Sequence, residues 1–373
     1  MTSLRELRPF GHSAWAEPFR ASATIGLSSA EAAPVTIGEL EQISGFSVER
    51  LLRDVPLGYR PFGGSVLLRA AVAATLRGVG VDSVVITTGA GEALSALATT
   101  LVHPGDHAIV GWPAPECLTL ALERSGCVAS TIDAPFDVDE VIGSIGHGTK
   151  AVFLTSPHNP TGTVVSADAL ARIAEALERS GGVLVVDEVF RGVALGGAVQ
   201  PPAASLAPNA VTVGSLSKVY GLAGLRIGWA AGPPLLIDDV RCHHAHASRC
   251  PAAVSETLAI VALEHGDVLL RRTSDLVHDN LQRFAALLDR HPACRLDVPD
   301  GGSLAFPTIP VDDVDAWCTR IALEHGLLVA PGPACFGVPG RVRCNLAAQR
   351  SDWRAALPLL DAELAALSGA ASW

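Results

Sequence analysis

The chain is 373 residues long, 49% hydrophobic and 17% charged, which suggests roughly two domains and a large buried core. Aromatics make up only 5%, so that core must come mostly from Ala, Val and Leu. A formal net charge of −11 argues against nucleic acid or an anionic membrane as the main partner, since both call for clustered Lys and Arg. Mean hydropathy is positive at +0.35, but no apolar run approaches the ~18 residues of a membrane-spanning helix. The opening MTSLRELRPFGHSAW carries charges and no apolar signal core. Eight cysteines are scattered from Cys117 to Cys344 with no CxxC spacing, which fits reduced thiols in a cytoplasmic protein.

Taken in chain order, residues 1–45 are rich in Ala, Ser and Pro with weak periodicity, and read as an arm that packs on either domain. From residue 64 the pattern alternates. GSVLLRAAVAATLRGVG predicts a helix, SVVITTGAG a strand running into a glycine turn, and EALSALATTLV the next helix. HAIVGW predicts a strand, LTLALERSG a helix, AVFLTSP a strand and DALARIAEALERSGG a helix. GVLVVDE, AVTVGSL and RIGWAAG predict three further strands. These apolar runs lack period-two alternation, as expected for a mainly parallel sheet covered on both faces, hence an α/β architecture. Residues 46–250 form the large domain on this reading. Residues 251–373 then bring two long helices, the short strand candidates SLAFPTI, LLVAPG and VRCNLA, and the closing helix SDWRAALPLLDAELAALSG, a smaller α+β unit.

In an open parallel sheet, ligands bind at the carboxyl ends of the strands, and polar residues gather there. Gly89–Ala90–Gly91 opens a helix, where successive backbone N–H groups suit an anion such as phosphate. TSPHNPTG places Asn159 in an ordered turn. Asp187 closes GGVLVVD, and a buried carboxylate there needs a partner for its charge. GSLSKVYGLAGLRIGW sets Ser215, Ser217, Lys218 and Arg226 beyond the next strand end. A lysine beside an anion site and an acid suits Schiff-base chemistry, provided its amine is partly desolvated.

Together these residues resemble the fold-type-I pyridoxal-phosphate enzymes of the class I/II aminotransferase superfamily. The most specific part is S-x-S-K-x-x-G-x-x-G-x-R-x-G from Ser215 to Gly228, combined with HNPTG and Asp187. The resemblance runs from about Tyr59 to Arg343. It implies that Lys218 attaches pyridoxal 5'-phosphate covalently and shuttles the substrate Cα proton. It also implies that Asp187 pairs with the pyridine nitrogen and Asn159 with the ring 3′-oxygen, and that the Ala90 and Gly91 amides, Ser215 and Arg226 hold the phosphate. YRPFGGSVLLR resembles the segment whose tyrosine, here Tyr59, reaches the phosphate of a neighbouring subunit, which implies a homodimer. VRCNLA resembles the segment whose arginine clamps the substrate carboxylate, and the register selects Arg343 over Arg341. The implied activity acts on an L-amino acid by Cα deprotonation, most simply transamination.

Several positions depart from the family pattern. Phe190 stands where the family has a tyrosine that also bonds the ring oxygen. Pro115 stands at the ring-stacking position, leaving Trp112 or aliphatic contacts to cover the ring. The N-terminal ATIGLSSAEAAPVTIGEL lacks the common N-x-N-P loop and looks closer to a subgroup that remodels amino acids for secondary metabolites. Some members of that subgroup cyclise or oxidise arginine derivatives without transaminating. Glu188 reads as a surface loop acid, and Glu17, Glu31 and Glu116 as solvated carboxylates, with Glu31 the candidate to meet a cationic substrate group. The run Cys242–His243–His244–Ala245–His246 has no second ligand cluster after it, so no metal is expected.

Overall fold

The structure is a computed structural model that describes residues 11–370, so most of the charged opening segment and the last three residues lie outside it. β1 (Ile25–Gly26) belongs to the smaller unit. The next seven strands build one sheet: β2 (Val84–Thr87), β3 (His107–Trp112), β4 (Val128–Asp133), β5 (Thr149–Thr155), β6 (Val183–Asp187), β7 (Ala210–Ser215) and β8 (Gly228–Ala231). Their order is β2-β8-β7-β6-β5-β3-β4. The five strands from β4 to β7 run parallel, whereas β8 runs antiparallel to both β7 and β2. The link between β7 and β8 carries only a 3₁₀ turn, Ala223–Leu225, in place of a crossover helix.

The unbroken apolar runs are explained by two covered faces. Val110, Phe153, Val185, Val211 and Val213 pack toward helices Ala90–Leu101 and Pro234–Ala247. Ile109, Val152, Leu154, Leu184 and Val186 pack toward helix Ala167–Glu178. Successive residues thus alternate between faces while both faces stay apolar.

The smaller unit contains β9 (Leu304–Ala305), β10 (Leu327–Leu328), β11 (Ala330–Pro331) and β12 (Val342–Asn345). β11, β12 and β9 form an antiparallel sheet, and β1 pairs in parallel with β10. Helices Gly266–Leu288 and Arg350–Ala370 pack together, with the Phe284 and Trp353 ring centroids 5.0 Å apart. Helix Val314–His325, capped by the Asp313 carboxylate, completes the unit. The N-terminal segment resolves its own ambiguity by bridging. β1 joins the smaller unit, the Asn345 N–H donates to the Leu27 carbonyl at 2.8 Å, and the Ala32 N–H donates to the Lys218 carbonyl at 2.9 Å. Residues 28–31 are thereby carried to the carboxyl ends of the large sheet. No helix among the described residues is long and apolar enough to cross a membrane.

Candidate active site

Three parallel strands end side by side. Thr155 of β5 lies opposite Asp187 of β6, and Asp187 opposite Val213 of β7, two residues before Ser215. Beyond these ends lies a cavity of about 500 Å³, within the size range of small-molecule sites. Its walls include Lys218, Asp187, Asn159, Ser215, Arg226 and Arg343, together with Ala90 and Gly91. Tyr59 is absent from this wall and 79% exposed, with the Arg249 guanidinium stacked 4.3 Å from its ring centroid.

Asp187 is buried at the end of its strand and accepts the Val189 N–H at 3.2 Å. Burial pushes its carboxyl up to about 6, partly offset by that N–H and by the positive charge of Lys218. Burial likewise lowers the Lys218 amine from its ordinary range, against the opposing pull of the Glu31 carboxylate. A lysine depressed in this way is easier to deprotonate, which is what a nucleophilic amine requires.

The anion turn is built by close backbone approach. Gly89, at φ 80°, caps helix Ala90–Leu101. A Cβ on Gly89 would fall 2.5 Å from the Arg226 Nη2, so glycine there gives the guanidinium its place. Arg226 itself adopts the left-handed conformation at φ 55° and donates to the carbonyls of Ala223 at 3.2 Å and Thr88 at 3.4 Å. Free helix N–H groups and a guanidinium thus meet at one end of the cavity.

At another wall Arg343 is buried, with its Nη1 donating to Asn159 Oδ1 at 3.0 Å and its Nη2 to the Ser28 carbonyl. Its guanidinium lies 4.9 Å from the Phe336 ring centroid, and its Nε has no hydrogen-bond partner. Burial draws its pKa down to about 10, still a cation at neutral pH. Arg341, by contrast, is spent on the Phe306 carbonyl and Asp297, outside the cavity.

Two glutamates sit differently from their sequence reading, and of the two alternatives for covering the ring, Trp112 lies away from the cavity. Glu188 is not a surface acid: it is buried, accepts the Ala203 N–H at 2.7 Å and pairs with Arg191 at 3.0 Å. Trp112 does not reach the site; it is half-buried and lines a separate cavity behind the Glu116–Cys117 wall, leaving Ala114 and Pro115 to face the site. Glu116 is half-buried and not free, because both its oxygens accept the Gly11 N–H at 2.7 Å. Glu31 lines the cavity, whereas Glu17 is an exposed partner of Arg20. Phe190 is buried against Val189 and Leu304 at the cavity wall.

Of the wall residues that escaped the sequence reading, one is a histidine. His12 faces the cavity with a buried, unpartnered Nε2, and its pKa falls to about 4 through burial and the Arg343 charge. No sequence signal marks it, since the helix that carries it is Gly11–Ala16, a six-residue stretch in a weakly patterned arm.

The walls suit a ligand with a dianion at one end and a protonated ring nitrogen at the other: an anion turn with Arg226, and a buried carboxyl with Lys218 as its positive neighbour. Pyridoxal phosphate has that form. The aminotransferase class I and II family matches residues 53–356. Capreomycidine synthase of Streptomyces vinaceus is 30% identical over 91% of this chain and 89% of its own length. A pyridoxal-phosphate-dependent aminotransferase from Streptococcus suis superimposes with a TM-score of 0.92 at 26% identity, covering 97% of this chain and 99% of that one. The pyridoxal-phosphate-dependent cyclase OrfR superimposes with a TM-score of 0.90 at 26% identity over the same shares. The chain therefore belongs to the aminotransferase class I and II family, with pyridoxal phosphate as its cofactor.

Proposed function

We propose that the chain removes the Cα proton of an L-amino acid and, in the simplest outcome, transfers its amino group to a keto acid. The observation that carries this reading is one cavity lined jointly by a depressed lysine, a buried aspartate, an anion turn and a buried arginine. When bound, pyridoxal phosphate supplies an electron sink for the carbanion formed at Cα. Asp187 would keep the ring nitrogen protonated, since its buried carboxyl would gain a second positive partner beside Lys218. Ala90, Gly91, Ser215 and Arg226 fix the phosphate end, and Asn159 the ring oxygen. Arg343 clamps the substrate α-carboxylate in a bidentate fashion, its Nη1 and Nη2 oriented by Asn159 and Ser28 and its Nε without a partner. Lys218 would hold the cofactor through its amine until the substrate amino group displaces it; the freed amine would then take the proton from Cα and return it, a step its lowered pKa favours.

A second reading keeps these roles and diverts the Cα carbanion to cyclisation, oxidation or elimination on an arginine-like or otherwise modified amino acid. Two of the relatives point that way, one named a synthase and one a cyclase, and the first spans 91% of the chain. Incubating the loaded enzyme with candidate amino acids, with and without a keto-acid acceptor, separates the two. Product only with acceptor supports transamination; product without it supports the second reading.

The working unit in this proposal is a homodimer in the cytoplasm, with residues 46–250 as the cofactor domain and residues 1–45 and 251–373 as the smaller one. Tyr59, Leu57, Phe62, Val66 and Leu67 are all exposed, an apolar surface of the kind a second copy covers. All eight cysteines are free thiols, which suits a reducing compartment.

A further inference from the structure

The histidine run Cys242–His246 lies on the last turns of helix Pro234–Ala247, against the helix that begins at the anion turn. His244 is fully buried, and its Nδ1 donates to Glu92 Oε1 at 3.0 Å. Ser248 Oγ donates to the same oxygen at 2.9 Å. Glu92 is the third residue of helix Ala90–Leu101, and its other oxygen accepts the Thr88 N–H at 2.5 Å. Burial pushes the Glu92 carboxyl up, but the bonds from His244, Thr88 and Ser248 outweigh it and hold the group at about 2, so it is an anion at neutral pH.

A full negative charge in the first turn of a helix is ordinarily favourable. Here the same turn must also receive a dianion, and an uncommitted carboxylate there repels it and competes for Arg226. The Thr88 carbonyl accepts from Arg226 at 3.4 Å, so the peptide that Glu92 grips on its N–H side is joined to the one Arg226 leans on. Glu92 therefore acts on the turn both through its charge and through its hold on the backbone.

We propose that His244 is a positioning residue for the phosphate cradle: with Ser248 it holds Oε1 of Glu92 against helix Pro234–Ala247, keeping the carboxylate away from the Ala90 and Gly91 amides and its second oxygen on the Thr88 amide. This rests on the reading that Ala90, Gly91 and Arg226 hold the cofactor phosphate. His244 touches neither cofactor nor substrate and acts through Glu92 alone. The histidine run thus serves an anion rather than a metal.

The test compares pyridoxal phosphate with pyridoxal, which lacks the phosphate, each titrated into protein stripped of cofactor with hydroxylamine and followed by tryptophan fluorescence. His244→Leu is expected to weaken pyridoxal phosphate on the order of tenfold and to leave pyridoxal unchanged. Adding Glu92→Gln to that variant, which removes the charge and keeps the acceptor oxygen, is expected to restore most of the loss. Should His244→Leu not fold, Ser248→Ala removes the second donor and is expected to give a smaller loss of the same selectivity. Equal weakening of both ligands, no weakening of either, or no restoration by Glu92→Gln overturns the proposal. Arg226→Ala serves as the reference. If it leaves pyridoxal phosphate binding intact, the cradle assignment itself falls; if it weakens binding while His244→Leu does not, only the role of His244 falls.

Discussion

At the scale of single residues, the stretch VLVVDEVFRG shows how burial assigns roles. Asp187 and Glu188 are adjacent acids, both buried, yet Glu188 is already matched by Arg191 and the Ala203 N–H, whereas Asp187 has one backbone donor and the distant pull of Lys218. The unmatched acid is the one with capacity for a ligand. Its folded-state carboxyl is raised from 3.8 to about 6, so it holds its proton more tightly in the folded chain than in the unfolded one. Without cofactor, the folded state is therefore favoured on the acid side and loses up to ~3 kcal/mol as the pH rises through that interval. Asp187→Asn removes the penalty. Cofactor-free Asp187→Asn is expected to melt a few degrees above the parent at pH 8 and level with it at pH 4, by thermal unfolding at each pH, while losing activity. Asp187, Lys218, Asn159, Arg226 and Arg343 were all legible in the sequence, because each sits at a strand end or in a turn with a fixed motif. His12 and the bond from Gly11 to Glu116 were not, since both depend on where a weakly patterned arm docks. Phe190 keeps its ring packed on Leu304, which places the missing hydroxyl's consequence in the chemistry and not in the fold.

At the scale of elements, what could be read was whatever had two covered faces. β3, β5, β6 and β7 announce themselves as apolar runs because helices bury both sides. β4 did not, since it is the sheet's edge and all but Ile132 of its residues face solvent or a rim. Helix Val314–His325 was missed for the opposite reason: its sequence, VDAWCTRIALEH, carries a modest apolar stripe between short strands. The direction of β8 was also invisible, because an apolar strand reads the same in either sense. That reversed strand nevertheless shapes the site, for Gly228 opens it directly beneath the anion turn. A Cβ on Gly228 would fall 2.3 Å from the Gly89 carbonyl carbon and 2.5 Å from the Ala90 nitrogen. Backbone there cannot step aside without moving the turn. Gly228→Ala is therefore expected to cost about 1–3 kcal/mol of stability and to weaken pyridoxal phosphate more than pyridoxal, by chemical denaturation and ligand titration.

At the scale of the whole molecule, one helix end touches both sides of the proposed dimer arrangement. His244 grips the chain's own anion turn through Glu92, and its carbonyl accepts the Arg249 N–H at 2.9 Å. Arg249 in turn stacks over Tyr59, the residue assigned to the neighbouring copy. If the sites are shared, mixing Lys218→Ala chains with Tyr59→Ala chains restores activity at limiting cofactor, because half of the mixed dimers' sites are intact. Random reassortment is expected to give roughly a quarter of the parent activity, and no recovery on mixing would mean that each chain works alone. Transamination and its alternatives part only after the Cα proton has left, so that proton is the common test. The loaded enzyme is incubated in deuterated water with a panel of L-amino acids, arginine-like ones included, and Cα–H loss is followed by proton NMR. The expected result is exchange at Cα for at least one of them, reduced about 10³-fold or more in Lys218→Ala. Exchange with none of them, or exchange that survives unchanged in Lys218→Ala, would contradict the assignment of this cavity and its lysine to amino-acid Cα chemistry.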